Sequence, residues 1–384
     1  MADRDELIAR ARELAPGLAE RAQAAEEARE LPQETIDELT EAGFLEVLVP
    51  KARGGRELDL VTLCGISREL GAGCAATGWV TSIYMLHNWL ASLFPAKAQE
   101  EVFAERPYAY IPCTLAPTGR AEPADGGFQV TGRWSWGTGI MHADWAMVSA
   151  MGEAGPLVCL LPVDEVIVHD VWFTSGMRAT GSNDIEVAGR FVPAHRVVPL
   201  ADFGQGAAPG ADLHEGPAYR WPSVPVLALA GAAPILGAAE GLLASFKERM
   251  LKRVMVYYGT RQADRMSGQI KLAKATAELA AARLLLDDAI GHLQRTYEEG
   301  REYTIADRAR ARLVGAQVVS TVRGAVNDLC VASGASGQMS HMPFQRVQRD
   351  INTISGHVIY DVDETYALFG MIDLGLDPGP AALV

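Results

Sequence analysis

The chain has 384 residues, and its 34 basic against 48 acidic side chains give a formal net charge of −14. A chain of this length is expected to form two or three domains. Its acidic balance argues against nucleic acid as the main ligand, because phosphates need concentrated positive charge. The five cysteines are scattered without a CxxC pair, which predicts neither a disulfide framework nor a metal site and is typical of a reducing, cytoplasmic compartment.

The sequence also predicts no membrane attachment. The N-terminus is charged from Asp3 onward and has no apolar segment of the kind found in signal peptides. The longest apolar run, 224–239, contains two prolines and several glycines and falls short of the roughly 18 uninterrupted apolar residues of a membrane span. We interpret it as the start of a buried helix.

Residues 1–106 are predicted to form an N-terminal helical domain. The segment 31–39 is typical of a helix that begins at a proline and ends at Gly43. A second helical stretch continues through Leu70, and a third runs from about Cys74 to Phe94, where Pro95 ends it.

Residues 107–204 are predicted to form a central antiparallel β domain, either a sandwich or a small barrel. Short alternating segments are separated by turn-forming Gly, Pro and Asp residues, and the predicted strands include 128–134, 145–149, 157–161 and 186–192. The Gly- and Pro-rich segment 205–223 that follows is predicted to be a linker or an active-site loop.

Residues 224–384 return to helical character and are predicted to form a C-terminal four-helix bundle. The runs 270–286 and 308–333 are rich in strong helix formers, and Gly334 ends the second. The predicted fold class is therefore α+β, with a helical domain, a β domain and a helical bundle in that order.

Three strings carry a resemblance to a known family. They are LPQETIDELTEAGFLEVLVPKARGG at 31–55, GMRATGSND at 176–184 and PFQRVQRD at 343–350. Their order and spacing resemble the acyl-CoA dehydrogenase superfamily over nearly the whole chain. The resemblance implies the helical, β, helical fold already predicted from composition.

The position of the catalytic base separates this chain from the dehydrogenases of that family. Those enzymes commonly place a glutamate nine residues after the arginine of the RD pair, where it abstracts the proton α to a thioester carbonyl. Here Val358 occupies that position and His357 precedes it, and 224–239 contains no acid. A histidine at this place resembles the two-component flavin-dependent monooxygenases of the same fold, such as the oxygenase component of 4-hydroxyphenylacetate hydroxylase.

This second resemblance implies a reaction and its participants. Reduced flavin (FMNH2 or FADH2) from a separate NAD(P)H:flavin reductase would react with O2 to give a C4a-hydroperoxide, which hydroxylates a small aromatic or heterocyclic substrate. The absence of a GxGxxG string after a strand agrees with a reductase on another chain. The family resemblance also implies a homotetramer.

The same resemblance implies roles for individual residues. Thr138 would place its hydroxyl near flavin N5, His357 would be the general base or peroxide partner, and His87 would orient the substrate. The residues expected to line the substrate site are His87, His357, Cys113 and Thr114. The last two lie in the segment 111–119, which resembles the family's loop beside the substrate. Those expected to bind the flavin are Trp136, Thr138, Gly139, Ser182, Arg261 and Gln269, the last two near its phosphate.

Other interpretations of these residues remain open. A dehydrogenase or oxidase of a non-CoA or acyl substrate would use His357 as base, and a relative without catalysis would only bind flavin. The tryptophans of the β domain either fill its core or surround a flat ring, and Arg178 pairs with Asp184 in the simplest case. The acidic stretch 361–364 is interpreted as a solvated helix start rather than a metal site.

Overall fold

The computed structural model describes residues 2–379 and 383–384. The N-terminal part is helical, as predicted. Its helices are α1 (Ala2–Ala28), α2 (Gln33–Glu41), α3 (Leu60–Gly73), α4 (Ala75–Ala91) and α5 (Ala96–Val102). Pro32 and Pro95 precede α2 and α5, and the Asp59 carboxylate accepts the backbone N–H of Thr62 to cap α3.

A seven-stranded sheet follows. Its strands are β1 (Cys113–Ala124), β2 (Gly127–Gly137), β3 (Trp145–Gly152), β4 (Gly155–Pro162), β5 (Ile167–His169), β6 (Asn183–Pro193) and β7 (Val197–Pro199), in the order β5-β6-β2-β1-β3-β4-β7. All neighbours are antiparallel except β1 and β3, which are parallel. The expectation of a purely antiparallel domain was wrong at this pair, because the chain crosses from β2 to the far side of β1.

The beginning of β1 also differs from the prediction. We expected 111–119 to be a loop beside the substrate, whereas the strand begins at Cys113 and its pairing with β3 shifts register between Thr114 and Gly119. The prolines and glycine that suggested a loop are accommodated in this irregularity, where the ladder does not need every N–H. Cys113 and Thr114 therefore lie on a strand end.

The rest of the chain is mostly helical. After the short α6 (Leu200–Gln205), its elements are α7 (Ser223–Lys252), the hairpin strands β8 (Val254–Met255) and β9 (Thr260–Arg261), α8 (Met266–Glu298), α9 (Ile305–Ser333), α10 (Pro343–Ile354) and α11 (Val362–Asp373). Thr304 and Asp307 form a capping box that starts α9, and Gly334 follows its last turn.

Helix α7 is the central helix of the molecule. By length and composition alone it is apolar enough to cross a membrane, but 78% of its apolar 18-residue stretch is buried inside the protein. It packs against α3, α4, α8 and α9. This is the environment of a core helix, and it agrees with the interpretation of 224–239 as buried.

Candidate active site

Helix α4 connects the separate parts of the candidate site. Three of its side chains reach different elements: Trp79 contacts the ring of His357, Tyr84 donates a hydrogen bond to the carbonyl of Gly139, and His87 bonds the carbonyl of Ile111. Trp79 and His87 are eight residues apart, so they lie on one face about 12 Å apart along the axis. Helix α4 therefore carries His87 itself and, through Trp79, a contact with His357.

His87 is buried and its ring orientation is set by the backbone. Its Nδ1 lies 2.6 Å from the carbonyl oxygen of Ile111, and because a carbonyl only accepts, Nδ1 carries the proton. Nε2 is therefore the unprotonated nitrogen. Burial lowers the pKa of His87 to about 4, so the ring is neutral near pH 7 and Nε2 can accept a proton or a hydrogen bond.

His357 presents the opposite tautomer. It precedes the 3₁₀ turn Val358–Tyr360, and its Nδ1 accepts the backbone N–H of Ile359 at 3.3 Å. A neutral ring with an accepting Nδ1 carries its proton on Nε2, which is then a donor. Trp79 and Tyr360 lie beside the ring at 5.9 and 6.0 Å between centroids. Although the residue as a whole is exposed, burial of the ring lowers its pKa to about 4.

Three hydroxyls form a hydrogen-bonded row after the end of β2. Thr138 Oγ1 lies 3.0 Å from Ser182 Oγ, which in turn lies 2.7 Å from Thr180 Oγ1. The hydroxyl of Tyr84 donates to Gly139 at 2.6 Å and so attaches this turn to α4. The structure thus brings the predicted Thr138, Gly139 and Ser182 together, and adds Tyr84 and Thr180 to them.

The four tryptophans of the β domain have different surroundings. Trp134 is 1% exposed and donates to the carbonyl of Ser149, whereas Trp136, two residues later, is 67% exposed. Trp145 lies under the Arg196 guanidinium, and the half-buried Trp172 donates to Met177. Core filling therefore accounts for Trp134, while Trp136 leaves an indole face open to a ligand.

Cys113 and Thr114 stand beside the His87 anchor, two and three residues after Ile111. Burial raises the pKa of the Cys113 thiol, which is therefore neutral. The hydroxyl oxygen of Thr114 is buried and has no hydrogen-bond partner within the described residues. A buried hydroxyl without a partner is costly, so a bound ligand atom is a natural partner for it.

Arg261 and Gln269 are not brought to these residues by the fold of one chain. Arg261 pairs with Asp264 at 3.0 and 3.1 Å on the exposed hairpin, and Gln269 donates to the carbonyl of Ala263. Both belong to the C-terminal bundle, at β9 and α8. Their role near the flavin phosphate stays a prediction.

The predicted pair of Arg178 and Asp184 is wrong. Asp184 accepts from Arg133 of β2 at 2.9 Å, and the Arg178 guanidinium donates to the backbone carbonyls of Glu26 and Thr174. Sequence proximity suggested the pair, but β6 places Asp184 opposite β2, and Arg178 turns toward the end of α1.

The residues at the end of β2 fit a flavin. An exposed indole (Trp136) and two bonded hydroxyls (Thr138 and Ser182) offer an apolar wall and polar groups, which is what a flat heteroaromatic ring system requires. No carboxylate takes the place of the family's base, since Val358 stands there.

Sequence reasoning missed several residues that build the site. Trp79 was recoverable, because its spacing of eight from His87 puts both on one helical face. Tyr84, Thr180 and Tyr360 carried no such signal, since their partners lie far away in sequence or on irregular turns.

Two family models match the helical parts of the chain. Residues 2–104 match the acyl-CoA dehydrogenase N-terminal domain and residues 229–362 match its C-terminal domain. Together with the fold, these matches define a protein of the acyl-CoA dehydrogenase class.

Individual relatives show which branch of this family the chain resembles. The chain is 37% identical to a pigment production hydroxylase of Rhodococcus sp. over 97% of both chains. It is 33% identical to the flavin-dependent monooxygenase oxygenase subunit HsaA of Mycobacterium tuberculosis, over 98% of this chain and 97% of HsaA. The structure of XiaF from Streptomyces sp. in complex with FADH2 and glycerol superposes with a TM-score of 0.91 at 31% identity, over 98% of this chain and 96% of XiaF. The chain belongs to the flavin-dependent monooxygenases built on this fold.

Proposed function

We propose that this protein is the oxygenase component of a two-component monooxygenase, which uses reduced flavin and O2 to hydroxylate a small aromatic or heterocyclic substrate. The observation that carries the proposal is a pair of neutral histidines of opposite tautomer, His87 on α4 and His357 packed against Trp79 of the same helix. The bonded hydroxyls are attached to α4 as well, through the hydrogen bond from Tyr84 to Gly139. This set can exchange a proton with a phenol or an N–H group but contains no carboxylate base for an acyl thioester.

The flavin would be held by Trp136 against its ring and by Gly139, Thr138 and Ser182 at its polar edge. Bound reduced flavin supplies the reducing equivalents and the activated oxygen. The contribution of the protein is to keep water from the reacting atoms and to present hydroxyl donors of constant orientation. Thr138 and Ser182 suit this task because each already bonds the other.

The two histidines would divide the proton handling between them. His87 Nε2 accepts the proton of the substrate hydroxyl, which makes an aromatic ring more electron-rich and more easily attacked by electrophilic oxygen. His357 Nε2–H donates a hydrogen bond toward the oxygen that is transferred or left behind. Cys113 and Thr114 line the substrate between them, with a neutral thiol and a free hydroxyl.

The partners follow from the two-component reaction. A separate NAD(P)H:flavin reductase supplies FMNH2 or FADH2, and the bound FADH2 of XiaF makes FADH2 the first choice.

The protein acts as a cytoplasmic homotetramer free of membranes. Exposed apolar residues on the hairpin and the start of α8 support this assembly: Val256, Tyr257 (97% exposed), Tyr258, Met266 and Ile270. In such an assembly Arg261 and Gln269 would reach the flavin phosphate of a neighbouring subunit.

The test is a single-turnover experiment. The purified protein is loaded anaerobically with FMNH2 or FADH2, mixed with oxygenated buffer, and followed with and without simple phenols and indoles. We expect a delay before oxidised flavin returns, little hydrogen peroxide when a substrate is hydroxylated, and tighter binding of one of the two flavins.

Two outcomes would overturn the proposal. One is return of oxidised flavin at the rate of free flavin with both cofactors and a full yield of peroxide. The other is anaerobic reduction of oxidised flavin by a substrate that becomes desaturated, which would define a dehydrogenase or oxidase.

A mass measurement by light scattering checks the tetramer, and Tyr257→Glu is expected to reduce it to smaller species.

A further inference from the structure

A buried carboxylate joins the C-terminal bundle to the turn that carries the hydroxyls. Asp350 of α10 is 5% exposed, and its Oδ1 accepts the backbone N–H of Met177 at 2.5 Å. The preceding Gly176 lies so close to α10 that a Cβ there would stand 2.2 Å from the carbonyl of Arg349. Helix α10 and the turn at 176–177 are therefore pressed backbone to backbone.

The turn needs support because its backbone is unfavourable. Met177 has a φ of 54°, in the left-handed region that side chains other than glycine rarely adopt. Its N–H has Asp350 as acceptor, and its carbonyl accepts Trp172 Nε1 at 2.9 Å, Thr180 Oγ1 at 2.8 Å and Thr180 N at 3.1 Å. Met177 is thus the centre of the local hydrogen bonds.

These bonds continue to the candidate flavin site. Thr180 Oγ1 lies 2.7 Å from Ser182 Oγ, and Ser182 Oγ lies 3.0 Å from Thr138 Oγ1. A continuous path therefore runs from the Asp350 carboxylate through the backbone of Met177 and the Thr180 hydroxyl to Ser182 and Thr138.

The charges around Asp350 are engaged elsewhere or offset one another. On its own helix Arg346 and Arg349 are near, and Arg349 already binds both carboxylate oxygens of Glu26 from α1 and the carbonyl of Ser175. The Cys74 thiol between α3 and α4 is close as well. Burial raises the pKa of Asp350 to about 6, a cost that a side chain with only a packing role would not need to carry.

We propose that Asp350 is a positioning residue, which holds the 177–182 turn so that the hydroxyls of Ser182 and Thr138 keep one orientation toward the flavin. This inference rests on the proposed function for the part played by Ser182 and Thr138. It gives the aspartate of the RD pair a task that differs from that of its neighbour Arg349, which ties α10 to α1 through Glu26.

The test compares Asp350→Ala with the conservative Asp350→Asn and with Glu26→Gln as matched control. Deuterium exchange of the ligand-free protein reports on the turn without any flavin. In Asp350→Ala we expect the amides of 177–182 to exchange about tenfold faster, because a hydrogen bond to a charged acceptor is lost. Asp350→Asn keeps an oxygen acceptor and is expected to restore slow exchange, and Glu26→Gln leaves the bond to Met177 intact.

The second measurement is made with flavin. Asp350→Ala is expected to weaken binding of reduced flavin about tenfold, the effect of roughly one lost hydrogen bond, and to raise the peroxide released per product. Asp350→Asn and Glu26→Gln should both behave like the native protein. Equal losses in Asp350→Ala and Glu26→Gln, or unchanged exchange in Asp350→Ala, would overturn the inference.

Two further variants distinguish a failure of the positioning inference from a failure of the proposed function. If Asp350→Ala does not fold, Thr180→Val breaks the same path at its middle hydroxyl and is expected to show the same weaker flavin binding; native-like behaviour of Thr180→Val would then contradict the inference. Ser182→Ala tests the proposed function on its own: native flavin binding and native peroxide yield there would refute the role of the hydroxyls, whereas the exchange result with Asp350→Ala would still decide the positioning.

Discussion

The regions around His87 and His357 contain the same residue type with the same lowered pKa, yet they differ in structure. His87 lies within α4, closed off from solvent, and bonds a carbonyl. His357 precedes a 3₁₀ turn between α10 and α11, is more exposed than His87, and accepts a backbone N–H. The backbone partner of one ring nitrogen therefore decides whether the other nitrogen donates or accepts.

The largest effect is expected from removing the accepting nitrogen of His87. Asn in place of His87 keeps a donor near the Nδ1 position for Ile111 but has nothing at Nε2. We expect the single-turnover rate of hydroxylation to fall about a hundredfold to a thousandfold, which is the rate enhancement that a general base usually contributes. Flavin binding should be unchanged. A loss of less than threefold would show that His87 is not the proton acceptor.

The next effect concerns stability against acid. His87 has its folded-state pKa below the unfolded value of 6.5, so its contribution is fully present above pH 6.5 and is lost as the pH falls toward about 4. The shift corresponds to about 3 kcal/mol. Urea unfolding at pH 7 and pH 4.5 should therefore show a smaller drop in His87→Asn than in the native protein; parallel drops would contradict the assignment.

A smaller effect is expected at the donating nitrogen of His357. His357→Ala should lower the ratio of hydroxylated product to hydrogen peroxide about tenfold, because one hydrogen-bond donor near the transferred oxygen is lost. His357→Gln keeps an N–H close to the Nε2 position and is expected to retain most of the ratio. If Gln is as poor as Ala, the ring acts as a base and not as a donor.

The smallest effect is expected when His357 is replaced and the free energy of unfolding is measured. Because His357 is an exposed residue whose ring hydrogen-bonds only the adjacent turn, His357→Gln should change the free energy of unfolding by no more than about 0.5 kcal/mol at pH 7. Urea titration of this variant beside His87→Asn checks the contrast, and a large loss in His357→Gln would mean that the two regions are equally structural.

Local rules predicted much of the fold. Prolines at the start of helices, Gly43 after α2 and Gly334 after α9 act within a few residues, so they can be recognised from sequence. The beginning of β1 was misjudged because Pro117 and Gly119 resemble loop residues, and only pairing with β3 makes that segment a strand. The parallel pairing itself depends on where the chain crosses the sheet.

Residues for the candidate site could be proposed from sequence, but their arrangement could not. His87 and His357 were proposed from their motifs, whereas the roles of their ring nitrogens depend on Ile111 and Ile359, whose geometry the motifs do not contain. Asp350 and Met177 lie 173 residues apart, and the left-handed φ of Met177 has no signature in a residue that usually avoids it. Such long-range and strained contacts appear only in three dimensions.

The connections made by α4 also bear on how substrate range can evolve or be engineered. Trp79, Tyr84 and His87 each tie the helix to a different element, so a substitution at one of them disturbs the position of α4 relative to that element. The side chain of Cys113 makes no hydrogen bond within the described residues and lies two residues after Ile111, the partner of His87. Libraries that vary Cys113 while preserving α4 should therefore yield new specificities with intact folding.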